Sequence, residues 1–143
     1  MAKESEHIAF ANRSHETLQH LLREPLKHSP WIATVAFYKA VHIVEAIFAN
    51  ESRHSCDHSE RESWLKITRK YEHICKHYLP LARASTVARY LVEVSCFEQY
   101  LGPTAVIEKL LQHRLYQIEK SARSFLKNPT VLIGVETLFE SPT

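Results

Sequence analysis

Three polar side chains lie within one predicted apolar helix at a spacing that chemistry could use. Tyr38, His42 and Glu45 recur every three or four residues, so a helix would place all three on one face. The carboxylate could orient the imidazole, which could act as a general base or, when protonated, bind a phosphate. The same spacing fits a structural group of hydrogen-bonded polar side chains. We favour the structural interpretation because no nucleophile accompanies the histidine.

Two further candidates, His58 and Arg61, follow a short polar loop. Asp57 with Glu60 three residues later resembles a capping box, so both candidates would lie in the first turn of a helix. Free amide groups and the helix dipole favour an anion there, and an arginine can bind phosphate through two hydrogen bonds. Alternatively, Arg61 forms an ion pair with Glu45 or another nearby acid, and His58 is a residue of the first helical turn without a binding role.

Arg89 and Tyr90 have the same two interpretations. If the fold brings Arg61 and Arg89 close to His42, the three would form a small cationic pocket. The candidate catalytic residues are therefore His42, Arg61 and Arg89. The candidate binding residues are Tyr38, His42, Glu45, His58, Arg61, Arg89 and Tyr90.

The sequence predicts neither a metal site nor a cofactor. The three cysteines (Cys56, Cys75 and Cys96) lack the paired spacing of a zinc knuckle, and a pair such as His42 with His58 lacks supporting carboxylates or cysteines. The N-terminus has no apolar targeting segment. We therefore expect a cytoplasmic protein with reduced thiols and no membrane association, and we expect Cys75 and Cys96 to fill the core.

The elements that must position these residues are predicted to be helices. The chain has 143 residues, of which 45% are hydrophobic and 24% charged, as in one ordinary globular domain. Only two glycines occur, which favours long helices over sheets joined by tight turns. A formal charge of +2 is too small to predict nucleic-acid binding by itself. The predicted fold is an all-α, up-and-down bundle of four to five helices.

Apolar periodicity, caps and prolines predict the helix boundaries. The first helix should end before Pro25, and the second should begin with Ser29 as N-cap and Pro30 in the first turn. The third should end before Pro80. The tryptophans Trp31 and Trp64 lie on apolar stripes and are expected in the core. The other apolar positions expected to be buried are Ile67 of the third helix and the stripe of the last helix at Leu111, Leu115, Ile118, Ala122 and Phe125. The predicted segments are 4–23, 29–50, 57–79, 81–101 (one or two short helices) and 104–127.

Two surface features could bind a partner. The first is a set of basic side chains on the third and last helices, which could contact RNA but are more typical of a solvated helix face. The second is the apolar tail 129–143, which follows the bundle domain 1–128. The tail should fold back onto its own bundle; the alternative is docking on a second subunit or another protein. The basic residues are Lys66, Arg69, Lys70, His73, Lys76, His77, Arg114, Lys120, Arg123 and Lys127.

Three short motifs resemble small prokaryotic HEPN-domain proteins. They are PWIATVAFYKAVHIVEA at 30–46, His58 with Arg61, and STVARY at 85–90, within a resemblance that spans residues 10–127. The resemblance implies a dimeric helical bundle from a toxin–antitoxin, stress or defence, or RNA-processing system. Active members are metal-independent RNases in which an arginine and a histidine, separated in the sequence by four to six other residues, meet across the dimer.

That arginine–histidine signature is absent from the final helices, where the family places it. The three pairs with suitable spacing are Arg13–His20, Arg23–His28 and Arg53–His58, and chance alone supplies about as many. We therefore predict a homodimeric, non-catalytic interaction or nucleic-acid-associated module. The alternatives are a metal-independent RNase that uses His42 with Arg61 or Arg89, and a small-anion or nucleotide sensor.

Overall fold

Six helices build the part of the chain that the computed structural model describes, residues 2–90 and 101–140. No strand occurs in these ranges, so the predicted all-α class is confirmed. Short 3₁₀ turns complete the path at Arg69–Tyr71, Arg123–Phe125, Pro129–Val131 and Val135–Phe139. The helices are α1 (Glu4–Leu21), α2 (Pro25–Ala49), α3 (His58–Ile67), α4 (Glu72–Tyr90), α5 (Ala105–Leu115, with π-helical turns) and α6 (Tyr116–Ala122).

Helix α2 is the central element of the bundle. It packs along α1 and also contacts α4, α5 and α6. Its length and composition would allow it to cross a membrane, but 78% of its most apolar stretch is buried inside the protein. A helix that is apolar on all sides and surrounded by other helices is the expected centre of a bundle.

The predicted start of α2 is wrong by about one turn. Pro25 does not end the preceding helix; it occupies the first turn of α2, and α1 has already ended at Leu21. Ser29 is buried rather than capping, and Pro30 lies inside the helix. Two prolines within six residues both fit the first turn of a helix, where a missing N–H costs little, and the sequence alone does not rank them.

Asp57 caps α3 as predicted. Its carboxylate accepts a hydrogen bond from the Glu60 amide at 2.8 Å, and the Glu60 carboxylate accepts one from the Cys56 amide at 3.2 Å. The predicted length of this helix is wrong, because the backbone becomes extended at Thr68. Pro80 lies inside α4 instead of ending a helix. Residues 81–90 therefore continue α4, and the predicted helix over 91–100 lies outside the described residues.

The core confirms some predicted positions and corrects others. The stripe of the last helix is buried at Leu111, Leu115, Ile118 and Ala122, and Cys75 is buried as expected. Trp64 packs half-buried against the ring of Phe48. Cys96 lies outside the described residues. Two predictions are wrong: Trp31 is 64% exposed near the start of α2, and Ile67 is 74% exposed at the end of α3.

The described part of the tail folds back onto its own bundle. Leu132 and Val135 are buried in the core. Asn12 of α1 holds the tail backbone through both ends of its amide: its nitrogen donates to the Val131 carbonyl at 3.0 Å, and its oxygen accepts from the Ile133 amide at 2.9 Å. The tail is thus a packed layer over α1 and α6.

Candidate functional site

A buried ion pair joins two of the predicted site residues. Arg61 Nε donates to Glu45 Oε1 at 2.8 Å, and the Ser55 hydroxyl donates to the same oxygen. The arginine Nη1 also lies 2.7 Å from His58 Nδ1 and 3.5 Å from the Tyr78 hydroxyl. Burial lowers the pKa of Arg61, but the hydrogen bonds to Tyr78 and Glu45 outweigh it and raise the pKa overall. Arg61 thus links α3 to α2 and α4.

His42 has its contacts on α1. Its Nδ1 lies 3.4 Å from Nδ1 of His7, and its ring stacks on Phe10 with 5.2 Å between centroids. Burial is the main cause that lowers the pKa of both histidines, and the positive charge of Arg61 lowers both pKa values further. Within the described residues, His42 has no hydrogen bond to Arg61 or Arg89. The charge of Arg61 nevertheless reaches His42 and lowers its pKa, so the cationic pocket around His42 stays a prediction.

The predicted site residues Tyr38, Arg89 and Tyr90 lie together on an exposed surface. The Arg89 guanidinium lies over the rings of Tyr38 and Tyr90, 5.9 and 5.1 Å from their centroids. Trp31 lies two turns before Tyr38 on the same helix and, like Tyr90, is about two-thirds exposed. Trp31 and Arg89 border a cleft of about 250 Å³, together with Pro30, Thr34 and Ala88. We call Trp31, Tyr38, Arg89 and Tyr90 the aromatic–arginine face.

His58 lies between the ion pair and this face. Its ring packs on Phe37, with 5.6 Å between centroids, although the residue as a whole is exposed. Burial of the imidazole lowers its pKa, and the positive charges of Arg61 and Arg89 lower it further. His58 is therefore mainly neutral at pH 7 and accepts the hydrogen bond from Arg61.

Several residues of the predicted basic surface have contacts with other side chains of the protein. Lys70 pairs with Glu51 at 2.8 Å, and Arg114 Nη1 lies 3.2 Å from Nδ1 of His77. His77 is only 3% exposed. Burial, with the nearby charges of His73 and Arg114, lowers its pKa to about 4. One lysine of the predicted surface is thus paired with a carboxylate and one histidine is buried, while RNA binding stays a prediction.

One cluster of metal-ligand side chains was not predicted. His7 of α1, Glu45 of α2 and His54 of the following loop each place one ligand atom within 4.8 Å of the others. The Glu45 Oε2 atom is buried, has no hydrogen-bond partner among the residues that the structure describes, and lies 3.9 Å from His54 Nδ1. Because the three residues come from separate elements, no local spacing indicates them.

A second buried polar network was also missed. Lys39 of α2 is fully buried, and its Nζ lies 2.6 Å from Glu119 Oε2 and 3.2 Å from His15 Nδ1. The same nitrogen donates to the Ile133 carbonyl at 2.8 Å. Burial lowers the pKa of Lys39 and raises that of Glu119, while their mutual attraction opposes both shifts. A lysine inside an otherwise apolar helix was the available signal for a buried partner.

Comparison with known proteins does not assign this chain to a family. No protein-family model, curated protein or solved structure matches this chain. The resemblance to HEPN-domain proteins therefore remains a prediction from the three short motifs.

Proposed function

We propose that this chain is a non-catalytic, HEPN-like interaction module that associates with a second copy of itself through the aromatic–arginine face. The resemblance adds the proposed setting, a stress, defence or toxin–antitoxin system. The observation that carries the proposal is an arginine that lies over two exposed tyrosine rings and shares a surface cleft with an exposed tryptophan.

The composition of this face supports a protein interface. Tryptophan, tyrosine and arginine are the residues that most often dominate binding energy, and charged residues other than arginine are depleted at interface centres. Arg89 is held between Tyr38 and Tyr90 before any partner binds, so less side-chain entropy would be lost on binding.

The shape of the face supports a second copy as the occupant. Trp31 projects at 64% exposure, and a cleft lies directly beside it. Two copies related by a two-fold axis would present the same ridge and cleft to each other, as isologous dimers require. The tail is not free for this role, because Leu132 and Val135 are already buried against its own bundle.

The state of the predicted catalytic residues supports a non-catalytic role. The charge of Arg61 is compensated by Glu45 at 2.8 Å, and the residue is 7% exposed. His42 contacts another histidine and a phenylalanine rather than a carboxylate or a nucleophile. Neither side chain is prepared to stabilise a developing negative charge on a substrate.

Fluorescence of Trp31 tests the proposed occupant. In a Trp64→Phe variant, Trp31 is the sole tryptophan and reports on its own exposure. We expect a blue-shifted emission at high protein concentration that moves to the red on dilution. An emission wavelength that does not change with protein concentration would contradict self-association. A shift that occurs only after single-stranded RNA is added would identify RNA as the occupant of the face instead.

The His7–His42 pair favours one other function, a metal-independent RNase. When one of two imidazoles whose ring nitrogens lie 3.4 Å apart is protonated, the neutral ring can accept a proton from the RNA and the protonated ring can donate one to the leaving oxygen. Because the pKa values of both histidines are lowered from 6.5, the protonated partner and the cleavage should increase as the pH falls below 6.5. RNA cleavage in EDTA by the wild type, lost in a folded His42→Ala variant and kept in His28→Ala, would establish this function. No cleavage by the wild type would exclude it.

A further inference from the structure

We propose that His7, Glu45 and His54 form a binding site for a divalent transition-metal ion of the zinc class. The site lies on α1, α2 and the loop after α2, and none of its three ligands belongs to the aromatic–arginine face, so this proposal does not rest on the proposed function.

The ligand atoms already lie close together. All three are within 4.8 Å of one another, and two of the side chains belong to the packed interior: His7 is 8% and Glu45 is 4% exposed. Ligands of one zinc ion are each about 2.0–2.2 Å from the metal, so the three must approach by roughly 1 Å. The side chain of His54 is 55% exposed, so it can move toward the other two ligands without repacking the core.

The carboxylate of Glu45 is oriented as a single-oxygen ligand. Its Oε1 accepts hydrogen bonds from Arg61 Nε and from the Ser55 hydroxyl, which hold the group in place. Its Oε2 is buried, finds no hydrogen-bond partner in the described part of the chain, and lies 3.9 Å from His54 Nδ1. A buried carboxylate oxygen without a partner is costly, and a bound cation would remove that cost.

The neighbours of the cluster resemble the outer shell of a metal site. Metal-ligating carboxylates are commonly hydrogen-bonded at their other oxygen, as Glu45 is by Arg61 and Ser55. Ligating imidazoles commonly have a polar partner of their own, and His42 lies 3.4 Å from His7. The nearby charge of Arg61 opposes a cation, so the site should bind more weakly than a structural site of four protein ligands.

The ligand types select the class of metal. Two imidazoles and one carboxylate suit zinc and its neighbours better than calcium or magnesium, which prefer oxygen ligands alone. Three protein ligands leave a fourth tetrahedral position open to water or to an anionic group of a bound molecule. That position would be reached from the side of the exposed His54.

Titration of zinc chloride into the metal-free full chain, followed by isothermal calorimetry at pH 7.5 with a phosphine reductant, tests the proposal. Three variants separate this cluster from other zinc ligands. His54→Ala removes the exposed ligand, while Cys56→Ser and His20→Ala remove an exposed thiol in the same loop and an exposed histidine elsewhere. Cobalt chloride gives a second readout, because a tetrahedral cobalt site absorbs strongly in the visible range.

We expect one equivalent of zinc, a higher Tm with zinc, and a tetrahedral cobalt spectrum. His54→Ala should weaken binding by more than about tenfold, the smallest usual cost of losing a mere outer-shell partner. Cys56→Ser and His20→Ala should bind as the wild type does. No stoichiometric binding, equal losses in all three variants, or undiminished binding in His54→Ala would each overturn the proposal.

Discussion

Lys39 and Glu119 form an ion pair in the centre of the bundle, with 2.6 Å between Nζ and Oε2 and neither side chain exposed. The pair also holds the tail, because Lys39 donates to the Ile133 carbonyl and Glu119 Oε1 accepts from the Val135 amide at 2.7 Å. Desolvation of two charges is costly, and these extra hydrogen bonds are what offset it. The docking of residues 129–140 therefore depends on two charges as well as on apolar burial.

Lys39→Met should destabilise the protein by about 3–5 kcal/mol, because it leaves the Glu119 charge buried without its partner. The free energy of unfolding from urea titration measures this change. The double variant with Glu119→Gln should recover part of the loss. The exposed pair Lys27–Glu24, 4.0 Å apart, provides the matched control: Lys27→Met should cost less than about 1 kcal/mol. Equal effects at both lysines would contradict this role for Lys39.

Packing of the tail can be tested with two neighbouring residues. Leu132→Ala should cost about 2–5 kcal/mol, because it opens a cavity at a residue that is 3% exposed. Val131→Ala should change the free energy of unfolding by less than about 0.5 kcal/mol, since that side chain is 55% exposed. A tail that does not pack on the bundle would make the two substitutions equally mild in urea unfolding.

His15 should make stability fall as pH falls below 6.5. Burial, with the neighbouring Lys39 charge, lowers its pKa from 6.5 to about 4 in the folded state. Between these values the unfolded chain binds a proton that the folded chain excludes, so its stabilising contribution is complete above pH 6.5 and is lost toward pH 4. From pH 7 to 5 the loss should be about 1–2 kcal/mol.

The control for His15 is a difference between variants, because other histidines also titrate in this range. His15→Gln should lose less stability than the wild type between pH 7 and 5, as measured by urea unfolding at each pH. His20→Ala, at an exposed position on the same helix, should follow the wild type. Parallel pH profiles for the wild type and His15→Gln would show that His15 titrates normally.

Arg61→Met should destabilise the protein by about 3–5 kcal/mol, because Glu45 would keep its buried charge without the guanidinium. Arg69→Met, at an exposed arginine, should stay within about 0.5 kcal/mol of the wild type. Thermal unfolding followed by circular dichroism distinguishes the two. An Arg61→Met variant as stable as the wild type would show that this arginine is not structural and would return it to the list of binding candidates.

Local signals predicted the helical class, the cap at Asp57 and the buried stripe of the last helix, because each depends on residues within one or two turns. Boundaries at prolines were predicted poorly. Pro30 and Pro80 are both accommodated inside helices, although proline usually ends them. At Pro30, tertiary burial of the surrounding α2 residues outweighs the local penalty.

Contacts across long sequence separations could not be predicted. Glu119 lies 80 residues after Lys39, and His7 lies far before Glu45 and His54, so neither cluster has a local pattern. The Glu45–Arg61 ion pair is one of the two alternatives that the sequence predicts for Arg61, because only a short loop separates the helices that carry the two residues. Trp31 was placed in the core because an apolar pattern does not show which faces of a helix other elements will cover.

Sedimentation equilibrium of the wild type, Trp31→Ala and Ile67→Ala tests the proposed self-association most directly. Ile67 is the matched control, since it is an exposed apolar residue on α3, outside the aromatic–arginine face. We predict a wild-type mass of twice the 16.6 kDa of one chain, the same mass for Ile67→Ala, and a monomer for Trp31→Ala. A monomeric wild type, or a dimer that Trp31→Ala leaves intact, would contradict the proposal.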